Sequence, residues 1–227
     1  MKISTIISSA IVAATLAVPC STKAAPFFDT SAPDETFGLG ARIGFNMSNV
    51  SAGGNRIASN NNSWGTGFDA GVVANINIRD FLTIQPGFFY QSRSSKYTLM
   101  RGYGADQDVE VGKNLHYAFN IPVMAVFHFN ISDDVRWNAE CGPYISLGLG
   151  KSDKGIHLLP LPEETYNRGY FDKHKRTLWG MKFGTGITIK DHYYVGIHYM
   201  AGIGNVWKEE GINGHAKAWT FTVGYDF

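Results

Sequence analysis

The sequence predicts an all-β fold, an eight-stranded antiparallel up-and-down transmembrane β-barrel. Three observations predict it. Apolar and polar residues alternate along eight segments, and short and long links alternate between these segments. The composition is also rich in glycine and aromatic residues, with 26 Gly, 15 Phe, 11 Tyr and 5 Trp, which favour turns and strands over helices.

The N-terminus has the pattern of an export signal. Lys2 precedes an uncharged apolar run over residues 3–18, and small and polar residues follow up to Ala25. This order predicts a cleaved signal peptide over residues 1–24. A retained membrane anchor and a lipid anchor on Cys20 are the alternatives. We expect residues 25–36 to form a periplasmic N-terminal segment and residues 37–227 to form the barrel.

The charge balance gives no reason to expect a nucleic-acid partner. Cleavage removes Lys2 and Lys23 from the 20 basic residues and none of the 19 acidic ones. The mature chain then has a formal charge of −1, which is far from the basic surface that a polyanion requires. Cys141 is the single remaining cysteine, so an intrachain disulfide is excluded.

Each predicted strand has one apolar face. In chain order, its apolar positions are Leu39, Ala41, Ile43, Phe45 and Met47; Phe68, Ala70, Val72, Ala74, Ile76 and Ile78; Leu82, Ile84, Phe88 and Tyr90; Leu115, Tyr117, Phe119, Ile121, Val123, Ala125, Phe127 and Phe129; Val135, Trp137, Ala139, Cys141, Ile145 and Leu147; Trp179, Met181, Phe183 and Ile187; Tyr193, Val195, Ile197, Tyr199 and Ala201; Trp219, Phe221, Val223, Tyr225 and Phe227. Most segments have about ten residues or more, the length of a tilted strand that crosses a bilayer.

The links between the segments differ in length in a regular way. The second and third, fourth and fifth, and sixth and seventh segments are joined by tight charged turns, at Arg79-Asp80, around Ser132–Asp134 and at Lys190-Asp191. The other links are long and polar, over residues 48–65, 92–114, 150–176 and 204–216. Strict alternation of short and long links is typical of outer-membrane barrels, which have short periplasmic turns and long extracellular loops.

Alternation alone leaves open whether the apolar face points to lipid or to a core. A soluble lipocalin-like barrel that carries an apolar ligand is the alternative, since it also has eight strands. The polar face favours lipid outside, because its small residues and charges of both signs suit a narrow lumen. Aromatic residues also cluster at both strand ends, as in the two interfacial belts of a membrane barrel. The last strand, which includes residues 223–227, is expected to pair with the first.

Short motifs in the same order resemble a known family. They are Phe37–Asn49, Gly67–Val72, Leu82–Tyr90, Asn120–Val123, Glu140–Tyr144 and Gly224–Phe227. Together they resemble the PorT-like outer-membrane β-barrel family of small porin-family proteins. The resemblance implies an outer-membrane location and recognition of the C-terminal strand, ending in Phe227, by the barrel-assembly machinery. Some members relate to a secretion system for surface proteins, and most have no assigned activity.

The predicted inner face carries charged residues. We expect Arg42 and Lys182 to form salt bridges with Asp69 and Glu140, because a buried charge without a partner is costly. Arg136, Asp226, His128 and His198 are on the same face. Catalysis by a Glu/His pair is the alternative, and so is a site at the rim among His116, Asp108, Glu110, His174 and His215. No spacing among these residues specifies a triad or a metal site, so we expect no enzyme and no cofactor.

The long link over residues 150–176 contains the candidate contact residues. Tyr166, Arg168, Tyr170 and Phe171 form either a surface patch or a cover folded over the barrel mouth. Lys173, Lys175 and Arg176 are candidates for neutralising lipopolysaccharide phosphates. The predicted function is therefore a structural or interaction barrel that presents loops and is not an open pore. The alternative remains the soluble lipocalin-like carrier.

Overall fold

The computed structural model describes residues 26–53, 63–101, 108–155, 175–206 and 213–227. The side chains of residues 51–53, 63, 95–101, 108–115, 151–155 and 213 are not described. The predicted signal peptide, residues 1–24, lies outside the described residues.

Eight strands form one closed antiparallel barrel, as the alternation predicts. They are β1 (Phe37–Gly53), β2 (Ser63–Arg79), β3 (Leu82–Arg101), β4 (Asp108–Ser132), β5 (Val135–Gly155), β6 (Thr177–Ile189), β7 (Tyr193–Gly202) and β8 (Asn213–Asp226). Each strand pairs with its neighbour in sequence, and β8 pairs with β1. Closure leaves no free edge. A sheet inside a bilayer must be closed in this way because lipid offers no hydrogen-bond partners.

One end of the barrel, called the turn end below, has three tight links. They are Asp80–Phe81 between β2 and β3, Asp133–Asp134 between β4 and β5, and residues 190–192 between β6 and β7. Lys190 and Asp191 have φ values of 51° and 59°. Positive φ at two successive turn positions matches the right-handed twist of the flanking strands. The opposite end, where β1 joins β2 and β3 joins β4, is called the loop end.

The strands extend further at the loop end than the sequence analysis predicted. The predicted links over residues 48–65, 92–114, 150–176 and 204–216 contain strand residues, and β3 and β4 pair as far as Arg101 and Asp108. These extensions were missed because the apolar/polar alternation fades there. A strand that leaves the membrane has no lipid to face, yet its backbone hydrogen bonds continue.

The apolar face points outward. Ile43, Val72 and Phe221 expose 62%, 58% and 50% of their surface, so these side chains are available to lipid. In a soluble lipocalin-like barrel the apolar side chains would fill the interior, and that alternative is not what the structure shows. In the described part of the chain, no helix has the length and apolar character needed to cross a membrane.

Aromatic rings form two groups on the outer surface. At the turn end, Phe129 contacts Trp137 with ring centroids 5.0 Å apart, and Tyr193 contacts Tyr225 at 5.4 Å. Toward the loop end, Tyr199 contacts Trp219 at 4.8 Å. The two groups match the pair of aromatic belts that membrane barrels place at the two lipid–water interfaces.

Glycines on the inner face allow backbone from neighbouring strands to approach closely. At Gly142 in β5, a Cβ atom would lie 2.0 Å from the carbonyl oxygen of Val123 in β4. At Gly38 in β1, a Cβ atom would have its closest neighbour, Asn75 Cβ, at 3.8 Å. The two positions therefore differ sharply in the room available for a methyl group.

We expect Gly142→Ala to destabilise the barrel by about 1–3 kcal/mol, the usual cost of overpacking. The matched control Gly38→Ala should leave stability within about 0.5 kcal/mol of the parent. Urea unfolding in lipid vesicles, read by tryptophan fluorescence and by the mobility shift of unboiled samples on gels, measures both. Equal stability of the two variants would contradict the close approach of β4 and β5 at Gly142.

Candidate functional site

The four residues predicted to fill the lumen are all buried inside the barrel. The exposed fractions of Arg42, Asp69, Glu140 and Lys182 are 4%, 7%, 5% and 8%. Each occupies a position whose neighbours along the strand point outward, as the period of two requires. Their partners, however, differ from those expected from the sequence.

Arg42 in β1 pairs with Asp226 in β8. Its Nη2 atom donates to both carboxylate oxygens at 2.8 Å, and Asn75 donates to Asp226 Oδ1 at 3.0 Å. The Arg42 guanidinium also lies 4.6 Å from the centre of the Tyr194 ring. This pair spans the seam at which the first and last strands close the barrel. The charge of Arg42 is thereby balanced without Asp69 or Glu140.

Glu140 forms the centre of a second cluster. The Tyr194 hydroxyl donates to its Oε1 atom at 2.5 Å, and His198 Nε2 lies 2.8 Å from its Oε2 atom. Thr222 Oγ1 lies 3.5 Å from His198 Nδ1, longer than the 2.6–3.2 Å contact of an activated nucleophile with its base. All four side chains are buried. The arrangement therefore resembles a buried carboxylate with a hydrogen-bond partner at each oxygen more than a catalytic triad.

Asp69 and Lys182 complete the predicted set, and neither has the salt bridge that was expected. Asp69 Oδ1 accepts hydrogen bonds from Asn46 and Gln91 at 2.5 and 2.8 Å. Lys182 Nζ lies 5.3 Å from the centre of the Phe89 ring, a cation–π contact. Neutral amides and an aromatic ring thus occupy the positions next to these two charges, although Lys182 still interacts electrostatically with Glu140 and Asp69 at longer range. The salt-bridged network of all four residues stays a prediction.

Buried apolar side chains close the lumen between its two ends. Tyr144, Met200 and Ala218 pack together and expose 2%, 1% and 0% of their surface. Further apolar residues on the inner face are Val73, Phe89, Met124, Val126 and Tyr194. Sequence reasoning missed these residues because they are apolar residues at inward positions, where the alternating pattern predicts polar ones. The uninterrupted apolar run over residues 121–127 was the available signal, because such a run indicates a strand that is buried on both faces.

A polar cavity of about 410 Å³ opens at the turn end. Its inner wall includes Arg42, Glu140 and Tyr194. Other wall residues satisfy one another, since Thr83 donates to Asn77 at 2.6 Å and His128 Nδ1 lies 2.8 Å from Asn138 Oδ1. At its edge, Arg136 forms a salt bridge with Asp191. We name this space the turn-end cavity.

The N-terminal segment runs along the turn end beside this cavity. The backbone N–H of Asn130 donates to Phe27 O at 3.0 Å, and that of Asn77 donates to Thr36 O at 3.0 Å. The Phe28 ring packs 4.3 Å from Phe81. Farther along, the Ser31 N–H donates to Asp29 Oδ1 at 2.8 Å and lowers the pKa of that exposed carboxyl. Residues 26–36 thus dock on β2, on the turn between β2 and β3, and on β4.

A second, smaller cavity of about 70 Å³ lies at the loop end. We name it the loop-end cavity. Within the described ranges, it shares no lining residue with the turn-end cavity. The buried layer around Tyr144 and Met200 lies between the two groups of lining residues. Side chains therefore interrupt the lumen.

The sequence-predicted contact residues are only partly described. Lys175 and Arg176 are exposed and line the loop-end cavity, as does His116. The backbone N–H of Lys175 donates to Val206 O at 2.8 Å, which ties this segment to the end of β7. Tyr166, Arg168, Tyr170, Phe171 and Lys173 lie outside the described residues, as does His174. Of the other rim candidates, Asp108 and Glu110 belong to β4, and His215 belongs to β8.

No group of three or more His, Cys, Asp or Glu side chains suited to a metal ion occurs in the part of the chain that the structure describes. Cys141 is a free cysteine of intermediate exposure.

Comparison with known families agrees with this geometry. Residues 27–208 match the model of the outer membrane protein beta-barrel domain. The chain belongs to this family. It is therefore an outer-membrane β-barrel protein, and the outward apolar face is its lipid-facing surface. No curated protein matches the chain significantly.

Solved outer-membrane barrels with little sequence identity resemble the chain. Ail, the attachment invasion locus protein of Yersinia pestis, is 14% identical with a TM-score of 0.40, over 84% of this chain and 99% of its own. OprG from Pseudomonas aeruginosa is 7% identical with a TM-score of 0.46, over 89% and 99%. Neisserial surface protein A is 14% identical with a TM-score of 0.40, over 85% and 98%.

The Arg42–Asp226 pair gives a direct test of the lumen network. Arg42→Gln leaves the Asp226 carboxylate with Asn75 but without its cation, so we expect a loss of about 3 kcal/mol in the free energy of unfolding. The control Arg136→Gln removes the cation of the half-exposed pair with Asp191, which should cost at most about 1 kcal/mol.

Equilibrium unfolding in urea, with the protein in lipid vesicles, compares the two variants. A cost for Arg42→Gln no larger than that for Arg136→Gln would show that the seam does not depend on this pair.

Proposed function

We propose that this outer-membrane barrel has a structural or interaction role, as a scaffold that presents its loop end to partners. The observation that carries the proposal is the buried layer of Tyr144, Met200 and Ala218 between the two cavities. A lumen closed in this way does not serve as an open pore, and an eight-stranded barrel has an interior just wide enough for side chains to fill. The side chains of the Glu140 cluster are buried and hydrogen-bonded to one another, so we propose no enzymatic role.

The orientation and the processing of the chain are part of this proposal. The signal peptide over residues 1–24 is removed, the turn end with residues 25–36 faces the periplasm, and the loop end faces outward, as in other outer-membrane barrels. The C-terminal strand that ends in Phe227 is the element read by the barrel-assembly machinery. The finer PorT-like assignment, with a link to surface-protein secretion or to the envelope, rests on the motifs between Phe37 and Phe227.

Conductance across a planar lipid bilayer tests the absence of a pore. The folded protein should give no stable stepwise current in concentrated potassium chloride, because the layer around Met200 blocks the lumen. The double variant Tyr144→Ala with Met200→Ala removes the two large side chains of this layer. It should raise the conductance or the frequency of openings. Stable channels in the unaltered protein would contradict the scaffold proposal.

The basic residues at the loop end suggest outer-leaflet lipid as one partner. Lys175 and Arg176 are exposed there, and Lys173 belongs to the same proposed set. A Lys or Arg next to an anionic lipid surface contributes about 1 kcal/mol. Replacing Lys173, Lys175 and Arg176 by Gln should therefore weaken association with lipopolysaccharide vesicles at least about tenfold and reduce its salt dependence.

The matched control removes three positive charges from the turn end, through Arg79→Gln, Arg136→Gln and Lys190→Gln. It should leave lipopolysaccharide association close to that of the parent when the barrel is inserted in one orientation. Unchanged association of the loop-end variant would remove lipopolysaccharide from the proposed partners.

A further inference from the structure

We propose that the loop-end cavity is a binding site for a small organic acid, with its carboxylate on Arg93 and its short alkyl chain against the apolar wall. The site lies inside the barrel mouth and differs from the exposed lipid-contact set of Lys173, Lys175 and Arg176, although two of those residues line its edge.

The shape and lining of the cavity fit such a ligand. Its aliphatic lining residues come from four strands and from the segment that follows β7: Val50, Ala118, Leu178, Ala216 and Val206. The volume of about 70 Å³ holds about five water-sized groups, since one such group needs roughly 10–15 Å³. A ligand with about five or six non-hydrogen atoms fills this space. Apolar walls with few convergent polar groups are typical of small-molecule sites.

Arg93 in β3 supplies the charge that selects an anion. Its Nη2 atom donates to the Met200 sulfur at 3.2 Å, and a thioether is a weak acceptor. Its Nε atom is buried and has no hydrogen-bond partner among the described residues. Of the described carboxylates, none forms a salt bridge with Arg93, whereas Arg42 and Arg136 pair with Asp226 and Asp191.

A ligand carboxylate would complete the hydrogen bonding of this guanidinium. Two carboxylate oxygens match the fork of guanidinium N–H groups, which gives a short, charge-assisted, bidentate contact. The Met200 sulfur is a weak acceptor for the Arg93 Nη2 group, so a ligand carboxylate offers this guanidinium a stronger partner. None of the described lining residues of the cavity is acidic, so no side chain in this set competes for Arg93.

Butyrate, with six non-hydrogen atoms, is the probe. Isothermal titration and saturation-transfer NMR on the folded full-length mature protein in nanodiscs should show saturable binding. Butylammonium, which has the same chain length and the opposite charge, should not bind. Inorganic sulfate should bind at least about tenfold more weakly than butyrate, because it lacks the apolar chain.

Arg93→Gln should weaken butyrate binding at least about tenfold, since the charge-assisted contact is lost. The control Arg136→Gln removes an arginine from the opposite end and should leave binding unchanged. Ala118→Leu keeps Arg93 but fills part of the cavity, so it should weaken butyrate binding as well. The gel mobility shift of unboiled samples verifies that each variant is folded, and Ala118→Leu keeps the test decisive where Arg93→Gln fails to fold.

Three results would overturn the proposal. They are no saturable butyrate binding at tens of millimolar, butyrate binding that survives in folded Arg93→Gln, and binding of sulfate as tight as that of butyrate. The last result would show an anion site without selection for an apolar chain.

Discussion

The whole structure depends on the closure of β1 on β8. A bilayer offers no hydrogen-bond partner, so every backbone N–H and C=O within it must be paired inside the protein. The register between Gly40–Gly53 and Asn213–Asp226 provides this pairing along the seam. The Arg42–Asp226 salt bridge links the same two strands from the inner side. The first and last strands are thus joined by backbone hydrogen bonds and by a buried salt bridge.

Closure with eight strands also determines the character of the lumen. The interior is wide enough for side chains and too narrow for bulk water, so each charge placed there needs a partner from another strand. Asp226 accepts hydrogen bonds from Arg42 and Asn75. Glu140 accepts one from Tyr194 and lies within hydrogen-bond distance of His198. These contacts, together with the apolar layer around Met200, fill the barrel. Charges in the lumen therefore have an architectural explanation that needs no catalysis.

The outer face was predictable from sequence and the inner contacts were not. Lipid imposes one requirement, an apolar side chain, at every outward position, so alternation around Ile43 or Phe221 is enough to identify the strands. Inner contacts depend on which side chains meet across a narrow, sheared lumen. Arg42 and Asp226 are 184 residues apart in sequence, and nothing local to either residue indicates the other.

Apolar inner residues were missed for a related reason. Met124 and Val126 lie in a run that is apolar on both faces, where alternation carries no information. Tyr194 follows another aromatic residue, Tyr193, and one of two such neighbours must point inward in a strand. The motifs of the family resemblance lie in the order in which the strands occur. The resemblance did not indicate which side chains contact one another inside the barrel.

The two ends of the barrel differ in how well their polar groups are satisfied. At the turn end, the cavity wall is a self-contained network in which Thr83, His128 and Asn138 bond to one another. Toward the loop end, Gln91, Asn120 and Arg93 all direct N–H groups at the Met200 sulfur, which is a weak acceptor. The side-chain oxygens of Gln91 and Asn120 have no hydrogen-bond partner in the part of the chain that the structure describes.

Buried polar groups without partners are costly, so the unpartnered groups toward the loop end call for an explanation. The asymmetry separates two tasks within one lumen. The turn end contains the Arg42–Asp226 pair and the tight links, while the loop end keeps hydrogen-bonding capacity that the described residues do not use. Water or a ligand is the natural hydrogen-bond partner for such groups. Binding by this scaffold is therefore expected at the loop end, above the Met200 layer, and not in the larger cavity below it.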